Sequence, residues 1–328
     1  MIRPLLLYDA RRRGGGPRHV RDLDAALRDH CLAEPLVFGV DRLGVADILD
    51  VARYARTFGA THLHSHAKRA ALVAWAAARL TRLPWVHTFH GLHPERYFGW
   101  RRRLYLAGER ALARRRAATI HVSESQAALA RRLGLPGIVI PNGVDADWAQ
   151  TAALAKAWEP PPDGLPVVAA VARFDDPVKA LDVLLRASSL SGAFRLLLIG
   201  QMPGGWRDVS RVTAVGEVAE PLNWLGAAEV FVSVSWGEGC PYAMLDAMAA
   251  GLPVVATRVR GHVDLVVDGT TGRLVNPGDA GALARAIERT LADPDRTVMG
   301  ERGAARARAL FRLEDMVKRT AAVYAEVR

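Results

Sequence analysis

Short apolar runs alternate with longer amphipathic segments along the whole chain, and this alternation limits the possible folds more than any other feature. A strand-length run followed by a helix-length segment is a β-α unit, and repeated β-α units build a parallel sheet covered by helices. In the first half such runs fall at 4–8, 36–40, 61–64, 85–89, 119–122 and 138–140. In the second they fall at 167–172, 195–199, 230–234 and 254–256. The pattern predicts a doubly wound α/β fold, built twice. Between the halves, 141–166 contains Pro160, Pro161 and Pro162 and few large aliphatics after Trp148, as a connection would. The stretch from Asp279 to Arg328 is rich in Ala, Arg and Glu and predicts two or three surface helices.

Several classes are excluded. With 328 residues, 50% of them hydrophobic and 24% charged, the chain can bury a large core and is not disordered. The longest charge-poor apolar stretch, Gly239 to Thr257, is broken by Pro241, Asp246 and Pro253, so no membrane-spanning helix is expected. Leu5 to Leu7 is too short for the core of a signal peptide. Cys31 and Cys240 make neither a disulfide framework nor a metal spacing, and a reducing cytosol is the expected compartment. Charge is uneven: residues 1–141 carry 24 Lys+Arg against 11 Asp+Glu, whereas 142–328 carry 20 against 23. The two halves are expected to face different partners, or the first half an acidic one.

Two strand-to-helix turns suit phosphate. The first is Arg11-Arg12-Arg13-Gly14-Gly15-Gly16-Pro17, where glycine lets backbone N–H groups approach an anion and Pro17 fits a first helical turn. A plain surface turn explains it equally well. The second is Trp236-Gly237-Glu238-Gly239-Cys240-Pro241, in which Pro241 opens a helix that Gly251 closes. That helix is apolar on several faces, so Asp246 needs either a satisfied core environment or a ligand hydroxyl. Arg173 ends a strand and Lys179 opens the next helix, where ligands bind in open α/β sheets. An ion pair with Asp175 or Asp176 is the alternative use of these cations.

Six of ten histidines lie between His62 and His93. His62, His64 and His66 share one side of a strand, and His87 and His90 bracket the end of the next. With no H-E-x-x-H and no cysteine partner, hydrogen bonding at the mouth of the sheet is expected rather than zinc, and no metal site is assigned. Asp-x-Asp occurs at three unrelated places, which fits chance. The segment Arg101 to Arg116 reads as a basic amphipathic helix suited to anionic lipid or to plain solvation. Nucleic acid is not expected, because interleaved aromatics and known modules are missing.

Taken in order, these motifs resemble the retaining GT-B glycosyltransferases of family 4, over nearly the whole chain and most strongly from Val167 to Asp279. The resemblance rests on Gly14-Gly15-Gly16-Pro17, Thr88-Phe89-His90-Gly91, Ile140-Pro141-Asn142-Gly143-Val144-Asp145, Arg173 with Lys179, and Leu197-Leu198-Ile199-Gly200. It rests above all on Glu238-Gly239-Cys240-Pro241 running through Asp246 to Gly251-Leu252-Pro253-Val254-Val255, then Arg260-Gly261-His262-Val263-Asp264 and Gly272 to Asp279. The sequence departs from the family in having Asp246 and Asp264 where glutamate is usual and Ala180 where a glycine follows the lysine.

The resemblance implies two Rossmann-like domains facing a cleft: an acceptor-side domain over 1–145, a linker over 146–165, a donor-binding domain over 166–310, and a C-terminal helix over 311–328 packing back toward the first domain. It implies a nucleotide-sugar donor, a saccharide or lipid-linked acceptor and no separate cofactor. Catalytic roles fall on Glu238, His90, Arg173 and Lys179, and donor binding on Gly15, Gly16, Gly239, Cys240, Pro241 and Asp246. The expected activity is retaining, metal-independent hexosyl transfer in envelope polysaccharide or glycolipid synthesis, in the cytoplasm or on the inner membrane face through Arg101 to Arg116. A GT-B nucleotide-sugar epimerase or phosphorylase and a non-enzymatic anion- or nucleic-acid-binding protein are the alternatives.

Overall fold

The computed structural model describes all residues except Met1, Arg12, Arg13, Cys31, Arg42, Asp208 and Arg328, and the backbone alone of Arg96. The chain forms two compact units, one of residues 1–142 and 313–328, the other of residues 143–312.

Unit 1 holds β1 (Pro4–Asp9), α1 (Gly15–Asp29), β2 (Leu36–Val40), α2 (Val45–Thr57), β3 (His62–His66), α3 (Lys68–Thr81), β4 (Trp85–Phe89), α4 (Gly99–Ala113), β5 (Ala118–His121), α5 (Glu124–Arg132) and β6 (Ile138–Val139). Its six parallel strands lie in the order β2-β1-β3-β4-β5-β6. Alternation along β1 shows why two layers of helix are required. Leu6 packs with Val20, Leu23 and Leu27 of α1, while Leu5 and Leu7 pack with Val51 and Ala55 of α2 and Val73, Ala74 and Ala77 of α3.

Unit 2 holds α6 (Ala146–Ala153), β7 (Val167–Val171), α7 (Leu181–Leu190), β8 (Arg195–Ile199), β9 (Val212–Gly216), α8 (Leu222–Leu225), β10 (Val230–Ser233), α9 (Tyr242–Ala249), β11 (Val254–Thr257), α10 (His262–Leu265), β12 (Gly272–Val275), α11 (Ala280–Leu291) and α12 (Arg296–Leu310). The stretch read as a connection thus begins with a helix, capped by Asp145 through hydrogen bonds from the Asp147 and Trp148 amides. The strand order is β12-β11-β10-β7-β8-β9, all parallel. Entry to and exit from the unit are fastened together where the Val144 amide donates to the Phe311 carbonyl.

After Arg312 the chain returns to unit 1 as α13 (Leu313–Glu326), whose Met316, Val317, Val323 and Tyr324 complete the α1 side of that core. Two strands escaped the sequence reading, β9 and β12. Both are sheet edges, and both are short and only partly buried, so neither carries a continuous apolar run. No described helix is long and apolar enough to cross a membrane.

Candidate functional site

In each sheet the strand order reverses at one place, and ligands of open α/β sheets bind beyond the carboxyl ends of the strands there. In unit 2 that place lies between β7 and β10. Arg173 and Lys179 follow β7, and Glu238 to Pro241 follow β10, so these residues share the switch point.

The two loops are tied together by their backbones. The Trp236 amide and the Ser235 hydroxyl both donate to the Val178 carbonyl, at 2.9 and 3.0 Å. Thr257, at the end of β11, donates its hydroxyl to the Ser235 carbonyl at 2.8 Å. A second brace comes from Gly261, at φ 82°. A Cβ there would stand 2.5 Å from the Gly239 carbonyl oxygen, so only glycine fits, and the Glu238 amide donates to the Arg260 carbonyl at 3.1 Å.

This framework aims Lys179 at Glu238. Its Nζ donates to Oε1 at 2.5 Å, with the two side chains 21% and 13% exposed. Arg173 Nη2 donates to Asp176 Oδ2 at 3.1 Å, and the other oxygen of Asp176 accepts the Val178 amide. The local pairing open from sequence is therefore made by Arg173, while the partner of Lys179 lies 59 residues away. Burial pushes the Glu238 carboxyl up, but the Lys179 ammonium and the nearby His262 ring outweigh it and hold the group below its ordinary range. The His262 ring, buried at the start of α10, accepts from or donates to Ser233 at 3.2 Å and donates from Nδ1 to the Thr257 carbonyl at 2.9 Å. Burial keeps that ring below the usual histidine range.

The rest of the Glu238 motif is a buried platform. Cys240 is buried, Pro241 precedes α9, and α9 is buried from Tyr242 to Ala249 except at Ala243, including Asp246 at 6% exposure. Gly251 ends it at φ 83°. Ala180, where the resemblance has glycine, stands at φ 43° and ψ 47°, the left-handed region that glycine adopts without strain.

In unit 1 the switch point lies between β1 and β3. Gly14, at φ 97°, precedes α1, whose first residues are Gly15 and Gly16, and Arg12 and Arg13 of this turn lie outside the described residues. Gly16 faces the histidine that follows β4: a Cβ on it would sit 4.0 Å from Cδ2 of His90. His66 Nδ1 and His90 Nε2 are 3.1 Å apart, and His19 from α1 packs edge-on against His90 with ring centres 4.7 Å apart. Burial lowers His66 and His90 well below the ordinary histidine range and His19 to about 4, so these rings are neutral near pH 7. His64 contacts the Tyr324 hydroxyl at 2.6 Å and Thr88 at 2.8 Å, and His62 reaches the Val327 carbonyl. The three β3 histidines do share one side, as their alternation predicts.

Sequence reasoning missed His19, which is remote from the histidine-rich stretch. Its signal was position alone, one helical turn past the glycines and able to reach Asn142 Oδ1 at 3.1 Å. One expectation is corrected. Arg116 does not belong to the basic surface of Arg101 to Arg116: its side chain is 1% exposed, and its guanidinium bonds the buried Glu109 carboxylate at 3.0 Å and lies over the Trp85 and Phe89 rings. The helix ends at Ala113, and Arg101, Arg102, Arg103, Arg110, Arg114 and Arg115 keep exposed positions.

Comparison with known proteins agrees with this architecture. Residues 4–143 match the glycosyl transferase 4-like domain, and residues 165–293 match glycosyl transferases group 1. The phosphatidyl-myo-inositol mannosyltransferase of Propionibacterium freudenreichii is 30% identical over 278 residues, covering 80% of this chain and 70% of that protein. The lipopolysaccharide core biosynthesis mannosyltransferase LpcC of Rhizobium leguminosarum is 36% identical over 115 residues, 35% of this chain and 33% of that protein. Among solved structures, Anabaena HepE in complex with UDP and glucose superposes with a TM-score of 0.83 at 20% identity, covering 100% of both chains. Sucrose-phosphate synthase from Thermosynechococcus elongatus gives 0.84 at 23% identity and 99% of both. With two parallel α/β units and both halves matched, the chain belongs to the group 1 glycosyl transferases and has the two-domain GT-B fold.

Proposed function

We propose that this protein moves a sugar, with retention at the anomeric carbon, from a nucleotide-diphosphate sugar to a saccharide or lipid-linked acceptor in envelope polysaccharide or glycolipid assembly. The observation that carries the reading is the Lys179–Glu238 pair beside Arg173 at the switch point of unit 2. Each cation is held by one carboxylate, an arrangement that an incoming diphosphate can displace.

On this reading Lys179 and Arg173 turn to the diphosphate and stabilise the charge that grows on the leaving phosphate, so transfer needs no metal. Glu238, released from Lys179, accepts hydrogen bonds from donor-sugar hydroxyls. The Gly239 and Cys240 amides and the Pro241 turn lie near sugar and phosphate, and Asp246 takes the ribose hydroxyls. From unit 1 the neutral His90 ring bonds a sugar hydroxyl, and Gly15 and Gly16 offer N–H groups to phosphate. No side chain acts as nucleophile. The acceptor hydroxyl attacks the anomeric carbon from the side of the leaving group, the bond to the phosphate oxygen breaks, and that oxygen takes the acceptor's proton.

The names of relatives support the donor and acceptor classes: lipid and lipopolysaccharide mannosyltransferases, and a structure holding UDP-glucose. Peripheral attachment to an anionic membrane is part of the proposal, supported by Phe98, Trp100 and Leu104, which are 81%, 68% and 65% exposed beside Arg101 to Arg103. The test is a panel of nucleotide-diphosphate sugars with and without chelator, the product anomer being read by NMR. Transfer with retention, insensitive to chelator and lost in Glu238→Gln, is expected. Full activity of folded Glu238→Gln would refute the assignment.

A further inference from the structure

Three imidazoles meet at the carboxyl ends of the unit 1 strands. His66 ends β3, His90 follows β4, and His19 comes from α1. One ring nitrogen of each lies within 4.8 Å of those of the other two. His66 Nδ1 and His90 Nε2 are 3.1 Å apart. Two donors of a tetrahedral ion with metal–nitrogen bonds near 2.0–2.1 Å stand about 3.3 Å apart, so this spacing is already that of a ligand pair.

The outer nitrogens bear on which tautomers the rings can adopt. His66 Nε2 and His90 Nδ1 are buried and make no hydrogen bond. Here neither ring is locked into one tautomer. Without an ion, one of the two inner nitrogens carries the proton between them. With an ion, both present lone pairs inward and keep their protons on the outer nitrogens. His19 is oriented already: its Nδ1–H donates to Asn142 Oδ1 at 3.1 Å, which places the lone pair of the neutral ring on Nε2, as outer hydrogen bonds do for metal-bound histidines.

We propose that His19, His66 and His90 form a binding site for a divalent late first-row transition ion, zinc above all, with a coordination position left open. Three imidazoles without thiolate or carboxylate suit zinc, nickel or copper and disfavour magnesium and calcium. All three ligands belong to unit 1, and the affinity is measured with no donor present, so the site stands or falls separately from the transfer reading. If His90 also bonds the donor sugar, an ion held there withdraws that ring, and zinc inhibits transfer.

Calorimetric titration of the untagged, metal-stripped chain with zinc chloride tests the site, and cobalt(II) serves as an optical probe of coordination. One zinc per chain is expected, with four-coordinate cobalt absorption. Affinity should drop at least 10-fold in His19→Gln and His66→Gln, roughly 10- to 100-fold in Asn142→Ala, and stay unchanged in His30→Gln. Magnesium should not compete. If a ligand variant fails to fold, the cobalt spectrum of the unaltered chain and the Asn142→Ala titration still decide. Absence of zinc binding, six-coordinate cobalt, or affinity untouched by His19→Gln or Asn142→Ala would overturn the proposal.

Discussion

At the carboxyl ends of their strands the two units carry opposite chemistry. Unit 1 gathers neutral rings, with His19, His64, His66, His87 and His90 all held below the ordinary histidine range chiefly by burial. Unit 2 gathers formal charges in pairs, Lys179 with Glu238 and Arg173 with Asp176. Strand order differs as well: unit 2 has the dinucleotide-fold order and unit 1 the flavodoxin-like one. Burial selects the chemistry of each site. A buried imidazole sheds its proton and becomes a neutral hydrogen-bonding group, whereas a buried carboxylate keeps its charge where a cation stands beside it.

Unit 1 has buried charge too, in the Glu109–Arg116 pair, and this is the place where the largest loss of stability is expected. Arg116→Met should cost roughly 3–5 kcal/mol in chemical denaturation by stranding the Glu109 carboxylate, and Arg116→Met with Glu109→Gln should recover much of it. In unit 2 the charge is proposed to serve transfer. Lys179→Met should slow transfer by roughly 10²–10³, or about 2.7–4 kcal/mol, and adding Glu238→Gln should restore melting temperature but not rate.

Acid should act on unit 1 first. The native rings resist protonation, so the unfolded chain binds more protons below the ordinary histidine value. Their contribution is complete above pH 6.5 and is lost as pH falls from 6.5 through about 4, the value for His19. His19 alone is worth roughly 3 kcal/mol over that window. Hydrogen exchange at pH 7 and pH 5 should show amides of β3 and β4 losing protection before those of β10 and β11. A smaller effect is expected at the brace of unit 2. Gly261→Ala should destabilise by roughly 2 kcal/mol, because its Cβ meets the Gly239 carbonyl at a positive φ. Smallest of all, Arg101, Arg102 and Arg103 to Gln should change stability by less than about 0.5 kcal/mol while lowering retention on anionic vesicles at low salt.

Most of this contrast could be read from the residues. Ten of the twelve strands showed as apolar runs, and the cation and glutamate motifs of unit 2 fell at the switch point as the β-α rhythm implied. What escaped depends on distance in sequence. His19 and Asn142 are 123 residues apart, Lys179 and Glu238 59, and no local periodicity links them. The arginine run showed the opposite failure: a helical pattern carried past Ala113 gave Arg116 a surface that burial under Trp85 and Phe89 denies it.

Lys179 and Arg173 are proposed as the diphosphate-binding pair of unit 2. Calorimetry with uridine and guanosine mono- and diphosphates, on the native chain and on Lys179→Met, tests this most directly. At least one diphosphate should bind at least tenfold more tightly than its monophosphate, and that preference should vanish in Lys179→Met. A diphosphate preference that survives the substitution, or equal binding of mono- and diphosphates by the native chain, would contradict it.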